Sequence, residues 1–154
     1  MKRVLVAGST GYLGKYVTRE FKRQGYWVRA LARNPKKLQE TGPYLEPAVK
    51  EEIDEVFVGE ATRPETLKGL CTGIDVVFSS LGITRQKDDV SFMEVDYQAN
   101  KNILELALAS GVERFNFVSV LNGASLREIP ALDARERFVD ELKASGLDHT
   151  IIRP

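Results

Sequence analysis

The stretch Val4-Leu5-Val6-Ala7-Gly8-Ser9-Thr10-Gly11-Tyr12-Leu13-Gly14 decides the fold. Four apolar residues read as a short buried strand, and the amphipathic segment Tyr12 to Gln24 that follows reads as a helix. Between them lie three glycines spaced G-x-x-G-x-x-G. The first permits a tight turn, the second lets backbone N–H groups approach a pyrophosphate, and the third lets the helix pack close to the strand. Helix dipole and free amides then point at the anion. An ordinary strand-to-helix turn could also carry three glycines, but here a second strand follows at the right distance. The reading is therefore a dinucleotide cradle formed by Gly8, Ser9, Thr10, Gly11, Tyr12, Leu13 and Gly14.

Outward from this loop, short β-branched runs alternate with longer amphipathic segments. Strands are expected at Val4-Ala7, Trp27-Ala32, Glu55-Val58, Asp75-Ser79, Phe115-Ser119 and His149-Ile152. Helices are expected at Tyr12-Gln24, Pro35-Gln39, Pro64-Leu70, Phe92-Ser110 and Ala134-Ser145. In the longest, Ile103, Leu104, Ala107 and Leu108 share one face. Gly111 and Gly146 stand where left-handed residues end helices. Three loops interrupt the order: Thr41 to Glu52 over the surface, and Thr84 to Val90 and Leu121 to Asp133, which follow strands. The pattern predicts an α/β fold: a doubly wound parallel sheet of about six strands in three αβα layers, the Rossmann fold.

The end of the second strand bears on which dinucleotide binds. A carboxylate there would hold the adenosine ribose hydroxyls, whereas a 2′-phosphate needs a cation. In Val28-Arg29-Ala30-Leu31-Ala32-Arg33-Asn34 the acidic slot holds Ala32 and Arg33 follows. A guanidinium grips phosphate with two hydrogen bonds, so NADP is favoured, with NAD as the alternative. Lys36 and Lys37 have two readings, added charge near the 2′-phosphate and a solvated helix start, of which the second is favoured.

Composition narrows the function classes. Twenty-two Lys+Arg balance 22 Asp+Glu, which leaves no electrostatic footprint for nucleic acid or an anionic membrane. The longest uncharged run, Phe115 to Leu126, falls well short of the roughly 20 residues a membrane span needs. With one cysteine and one histidine, no disulfide and no Cys/His zinc site is expected. Cys71 reads as a small buried apolar residue and His149 as lying at the sheet end opposite the ligands. A soluble, cytoplasmic protein is expected.

The stretches Val4 to Gly11, Ala30-Leu31-Ala32-Arg33-Asn34-Pro35, Asp75-Val76-Val77-Phe78-Ser79, Val95-Asp96-Tyr97-Gln98-Ala99-Asn100 and Ser145 to Pro154 occur in an order that resembles the atypical branch of the extended short-chain dehydrogenase/reductase superfamily. Its nearest groups are the NAD(P)H-binding, NmrA-like and divinyl-chlorophyllide-reductase-like proteins. The resemblance covers nearly the whole chain. It implies that Gly8, Thr10, Gly11, Tyr12 and Leu13 surround the pyrophosphate and that Arg33 meets the 2′-phosphate. Glu60 and Ala61 would lie beside adenine, Leu81 and Gly82 beside the nicotinamide ribose, and Ser119 at the cleft floor. Asp96 and Asn100 fit a backbone-tying role equally well.

Classical members add a serine and a tyrosine four residues before a lysine. Here the serine slot falls on Val120, one place after Ser119, and the tyrosine and lysine slots fall on Ala131 and Arg135. No Tyr-x-x-x-Lys pair is found there, so the standard proton donor is not expected and catalytic residues stay unassigned. Residues 1–154 read as one NAD(P)-binding domain without the C-terminal portion that supplies most of the substrate pocket in these families. The first functional reading is an NADP(H)-preferring oxidoreductase domain passing hydride to an electron-poor small molecule. The second is a non-catalytic NADP(H)-binding regulatory or assembly module, and the third a nucleotide-sugar epimerase or dehydratase using NAD. The resemblance also implies homo-oligomers.

Overall fold

The structure is a computed structural model describing residues 1–82 and 91–154; the expected loop from Thr84 to Val90 lies outside the described residues. Among the described residues six strands and three α-helices run in the order β1 (Arg3–Ala7), α1 (Tyr12–Arg23), β2 (Trp27–Ala32), β3 (Glu55–Val58), β4 (Val76–Ser79), α2 (Asn100–Ala109), β5 (Arg114–Val118), α3 (Pro130–Ala144) and β6 (Asp148–Ile152). They form one sheet, ordered β3-β2-β1-β4-β5-β6. Every neighbouring pair is parallel. The order reverses between β1 and β4, the place where ligands enter such sheets. Ala7 pairs with both Leu31 and Ser79, so the ends of β1, β2 and β4 are level. The glycine loop, Arg33 and the segment after Ser79 consequently share one rim.

Alternation along the strands divides the core. Leu5, Ala7, Val77, Phe115 and Phe117 face Ile103, Leu104, Ala107, Phe138, Val139 and Leu142 from α2 and α3. Phe138 meets Phe117 edge-on at 4.7 Å between ring centres. Val4, Val6, Val28, Val76, Phe78 and Val118 face the other way, toward Val17 and Phe21 of α1. Sealing a phenylalanine such as Phe138 from water stabilises the fold by about 2–3 kcal/mol.

Several elements differ from expectation. The segment Pro64-Leu70 makes a single 3₁₀ turn, Pro64–Thr66, rather than a helix. The Thr66 hydroxyl bonds the backbone of Glu60 and Arg63, and the Arg29 guanidinium takes the carbonyls of Leu70 and Thr72 at 2.7 and 3.0 Å. Of these, the Arg63 carbonyl is the one a helix would have paired with the Leu67 N–H, which instead closes a 3₁₀ turn on Pro64 O. Pro35–Leu38 is likewise 3₁₀. The long helix runs where expected, but its first seven residues, Met93–Ala99, are wound as a π-helix. Leu108, expected on its apolar face, is 45% exposed, one residue past the inward Ala107. The loop from Thr41 to Glu52 does not merely skirt the surface, because Val49 is buried against Leu38, Ala30 and Ala32. Helix α3 begins four residues early, at Pro130, whose missing N–H and fixed φ suit a first turn. Gly111 and Gly146 take the left-handed conformation expected of them.

Candidate cofactor site

The glycine loop is built by backbone constraint. Gly8 has φ +88°, a region side chains rarely adopt, and a Cβ there would stand 2.6 Å from Ser80 Oγ. Gly11 N–H donates to Gly8 O at 3.1 Å and closes the turn. A Cβ on Gly14 would lie 1.9 Å from Gly8 O, so helix and loop touch through this glycine. At the start of α1 no side chain caps the helix and no acidic residue occupies the first turn. First-turn amides lack intrahelical partners, so they and the positive end of the dipole are left for an anion. These features fit the pyrophosphate of a dinucleotide.

Two contacts hold this cradle, one to β2 and one to the segment that follows it. Ser9 is buried and its hydroxyl donates to Leu31 O at 2.8 Å, which commits the side chain to the fold and leaves only its backbone to face a ligand. Lys15 is buried too, with Nζ donating to Glu40 O at 2.5 Å. Past β2, a groove of about 220 Å³ is lined by Thr10, Arg33, Asn34 and Lys37. Asn34 Oδ1 accepts from Lys36 N–H at 3.1 Å and starts the 3₁₀ turn that carries Lys37 to the groove. The turn places Lys37 beside Arg33, which fits the less favoured of its two expected roles better than a solvated helix start.

Glu60 stands across from Arg33, its Oε1 3.9 Å from the guanidinium and 3.1 Å from the Thr62 hydroxyl. Ala61 is anchored by Asn102, whose amide donates to Ala61 O at 2.8 Å and accepts from Gln98 at 2.8 Å. Asn102 escaped the sequence reading. The one signal was its place on the helix face that also carries Gln98, four residues earlier.

On the opposite side of the crevice, Ser79 Oγ donates to Asn100 Oδ1 at 2.5 Å, and Asn100 returns its amide to Leu81 O at 3.3 Å and Asp96 O at 3.1 Å. Asn100 therefore ties down the segment leaving β4. At Gly82 a Cβ would fall 2.0 Å from Arg135 Nη2 and 2.7 Å from Asp96 Oδ1. Arg135 Nε pairs with the fully buried Asp96 at 2.8 Å, and Nη1 donates to Val118 O at 3.2 Å. The lysine slot thus holds a structural ion pair. Ala131, in the tyrosine slot, has no proton to give.

A Tyr-x-x-x-Lys spacing does exist elsewhere, at Tyr97 and Lys101, and slot-by-slot reading passes over it. This pair does not form the standard acid. The Tyr97 hydroxyl donates to Glu141 at 2.7 Å, and that carboxylate raises the phenol above its ordinary pKa despite Lys101 Nζ at 3.4 Å. Tyr97 and Glu141 line a hollow with Arg137 and Asp140, apart from the groove lined by Thr10 and Arg33.

Ser119 is buried at the end of β5 with its hydroxyl donating to Glu136 Oε1 at 3.2 Å. Arg153 pairs with both oxygens of Glu136, at 2.9 Å for Nη2 and Oε2, and donates to Val120 O at 3.0 Å. The guanidinium holds the Glu136 carboxyl below its usual pKa. Away from the crevice, His149 Nδ1 bonds Leu147 O at 2.8 Å, and burial pushes the Cys71 thiol up to about 12. Among the described residues no cluster of His, Cys, Asp and Glu could hold a metal, and no helix is long and apolar enough to cross a membrane.

Known proteins resemble this chain in sequence and in fold. The model of a family described as NAD(P)H-binding matches residues 8–154. The photosystem II assembly factor Ycf39 of Cyanophora paradoxa is 32% identical over 153 residues, covering 97% of this chain and 44% of that one. The chloroplastic divinyl chlorophyllide a 8-vinyl-reductase of Arabidopsis thaliana is 30% identical over 164 residues, covering 98% and 38%. The chain therefore spans less than half the length of these curated relatives. A Bacillus halodurans structure with the provisional description NAD-dependent epimerase/dehydratase superposes with a TM-score of 0.81 at 26% identity, covering all of this chain and 70% of that one. The cradle, the strand order and these relatives converge: this chain belongs to the NAD(P)H-binding family, in the atypical short-chain dehydrogenase/reductase branch.

Proposed function

We propose that the chain prefers NADP(H) and is the cofactor domain of an oxidoreductase delivering hydride to an electron-poor acceptor. The supporting observation is the groove beside the glycine loop, where Arg33 and Lys37 present two cations with Thr10 and Asn34. No carboxylate stands at the β2 end where an NAD-specific sheet would place one. The bound cofactor supplies the hydride. The first turn of α1 would hold the pyrophosphate and Arg33 the 2′-phosphate, and Asn100 keeps Leu81 in place where the nicotinamide ribose would lie. Ala131 cannot donate a proton, and the Ser119 hydroxyl is directed to Glu136, so the proton comes from water or the acceptor itself. A flavin, quinone or activated double bond suits such a site better than an unactivated ketone.

Arg33→Ala is expected to weaken NADPH binding roughly ten- to hundredfold, the worth of a charge-assisted phosphate contact, and to leave NADH within about twofold. Parallel fluorescence titrations read this directly, and equal losses for both nucleotides would remove the NADP preference. Hydride transfer is tested by NADPH oxidation against a panel of flavins, quinones and activated alkenes. Tight binding without turnover would favour the second reading, a cofactor-sensing assembly module. That alternative draws support from the Arg135–Asp96 pair filling the usual catalytic slot. An NAD-dependent epimerase is the least suited, lacking both ribose carboxylate and tyrosine acid. Cytoplasmic placement and self-association are proposed from sequence alone.

A further inference from the structure

We propose that Glu60 sets the strength of coenzyme discrimination by competing with the 2′-phosphate for Arg33; the inference rests on the NADP(H) reading above. Arg33 is 72% exposed at the side chain, and its nearest ionic partner among the described residues is the Glu60 carboxylate, 3.9 Å away and 37% exposed. A guanidinium this open can turn from one anion to another.

Glu60 itself is held. Its N–H donates to Thr66 Oγ1 at 2.9 Å, its carbonyl accepts from Arg63 N–H at 2.9 Å, and Asn102 fixes the adjacent Ala61. Thr62 donates to Oε1, the same oxygen that faces Arg33. Its backbone fixed and its carboxylate tied to Thr62, Glu60 keeps its place facing Arg33, and the more exposed arginine is the partner that turns. A 2′-phosphate arriving there carries nearly two negative charges and must draw Arg33 away from Glu60 against repulsion from that carboxylate. The ribose hydroxyl of NADH brings no charge, and a carboxylate accepts its hydrogen bond. One residue thus taxes the phosphorylated nucleotide and spares the other.

The test is titration of wild type, Glu60→Gln, Arg33→Ala and the double variant with NADPH and NADH, with thermal melts confirming that each is folded. Glu60→Gln should tighten NADPH by roughly three- to tenfold, more than an exposed ion pair alone because the ligand is doubly charged. NADH should stay within about twofold. In the Arg33→Ala background the gain should shrink, since releasing Arg33 is part of it. NADPH affinity unchanged or weaker in Glu60→Gln would overturn the proposal while Arg33→Ala still loses NADPH. An equal gain without Arg33 would also overturn it, because Glu60 would then act on the phosphate directly. Arg33→Ala without effect on NADPH would instead defeat the underlying NADP reading.

Discussion

Gly14→Ala is expected to unseat α1 and abolish dinucleotide binding. The added methyl would stand 1.9 Å from Gly8 O and 2.9 Å from Ser9 Cα, both backbone atoms that no rotamer change can move aside. Relief requires lifting the helix off the loop, a cost of roughly 3 kcal/mol or more by analogy with overpacked cores. The same shift displaces the first-turn amides from the anion. Gly11→Ala makes the informative contrast. Its methyl would meet only Gly8 O, at 3.4 Å, which is ordinary contact, so stability should change by less than about 1 kcal/mol. Binding should still weaken at position 11, because the methyl stands where backbone approaches the pyrophosphate. Urea denaturation paired with NADPH titration separates the two. A Gly14→Ala protein that keeps both its midpoint and its affinity would show that helix and loop do not rely on this contact.

The contrast also marks what local sequence conveys. Spacing of Gly8, Gly11 and Gly14 between an apolar run and an amphipathic one suffices for the cradle, because each glycine answers a backbone requirement within seven residues. All six strands were legible for the same reason, their hydrophobic runs being short and bounded by turns. The Pro64-Leu70 segment misled, since the Thr66 hydroxyl takes the Arg63 carbonyl and the Leu67 N–H closes a 3₁₀ turn on Pro64 O, a local competition that apolar spacing does not record.

Around the crevice the legible part stops at single residues. Arg33 and Glu60 were each readable from strand ends, but their facing one another depends on the pairing of β2 with β3. Asp96 with Arg135 and Asn102 with Ala61 join positions about forty apart. No periodicity encodes such partners. Ser9 shows the converse limit: its place in the loop was clear, yet its hydroxyl turns inward to β2 rather than toward a ligand.

Arg153→Met is expected to destabilise the domain by about 3–5 kcal/mol near neutral pH, because it leaves Glu136 charged and buried without its partner. The Glu136 side chain is 3% exposed, and after the change the Ser119 hydroxyl alone among the described residues would remain hydrogen-bonded to its carboxylate. Double replacement, Glu136→Leu with Arg153→Met, should cost less than the single change, since no charge is then stranded. Acid behaviour gives an independent check. In the wild type Arg153 holds the carboxyl below its usual 4.5, so its contribution to stability is complete above that value and is lost as pH falls through the lower folded-state pKa. Without Arg153, burial dominates and raises the carboxyl instead. The sign then reverses: the variant is penalised above the raised pKa and recovers as Glu136 takes up a proton. The stability gap between the two proteins should therefore be widest near pH 7 and narrow steadily toward pH 4, as followed by urea midpoints across that range. A gap independent of pH would mean that the loss comes from the missing contacts to Val120 and the packing of the arginine, not from the stranded charge.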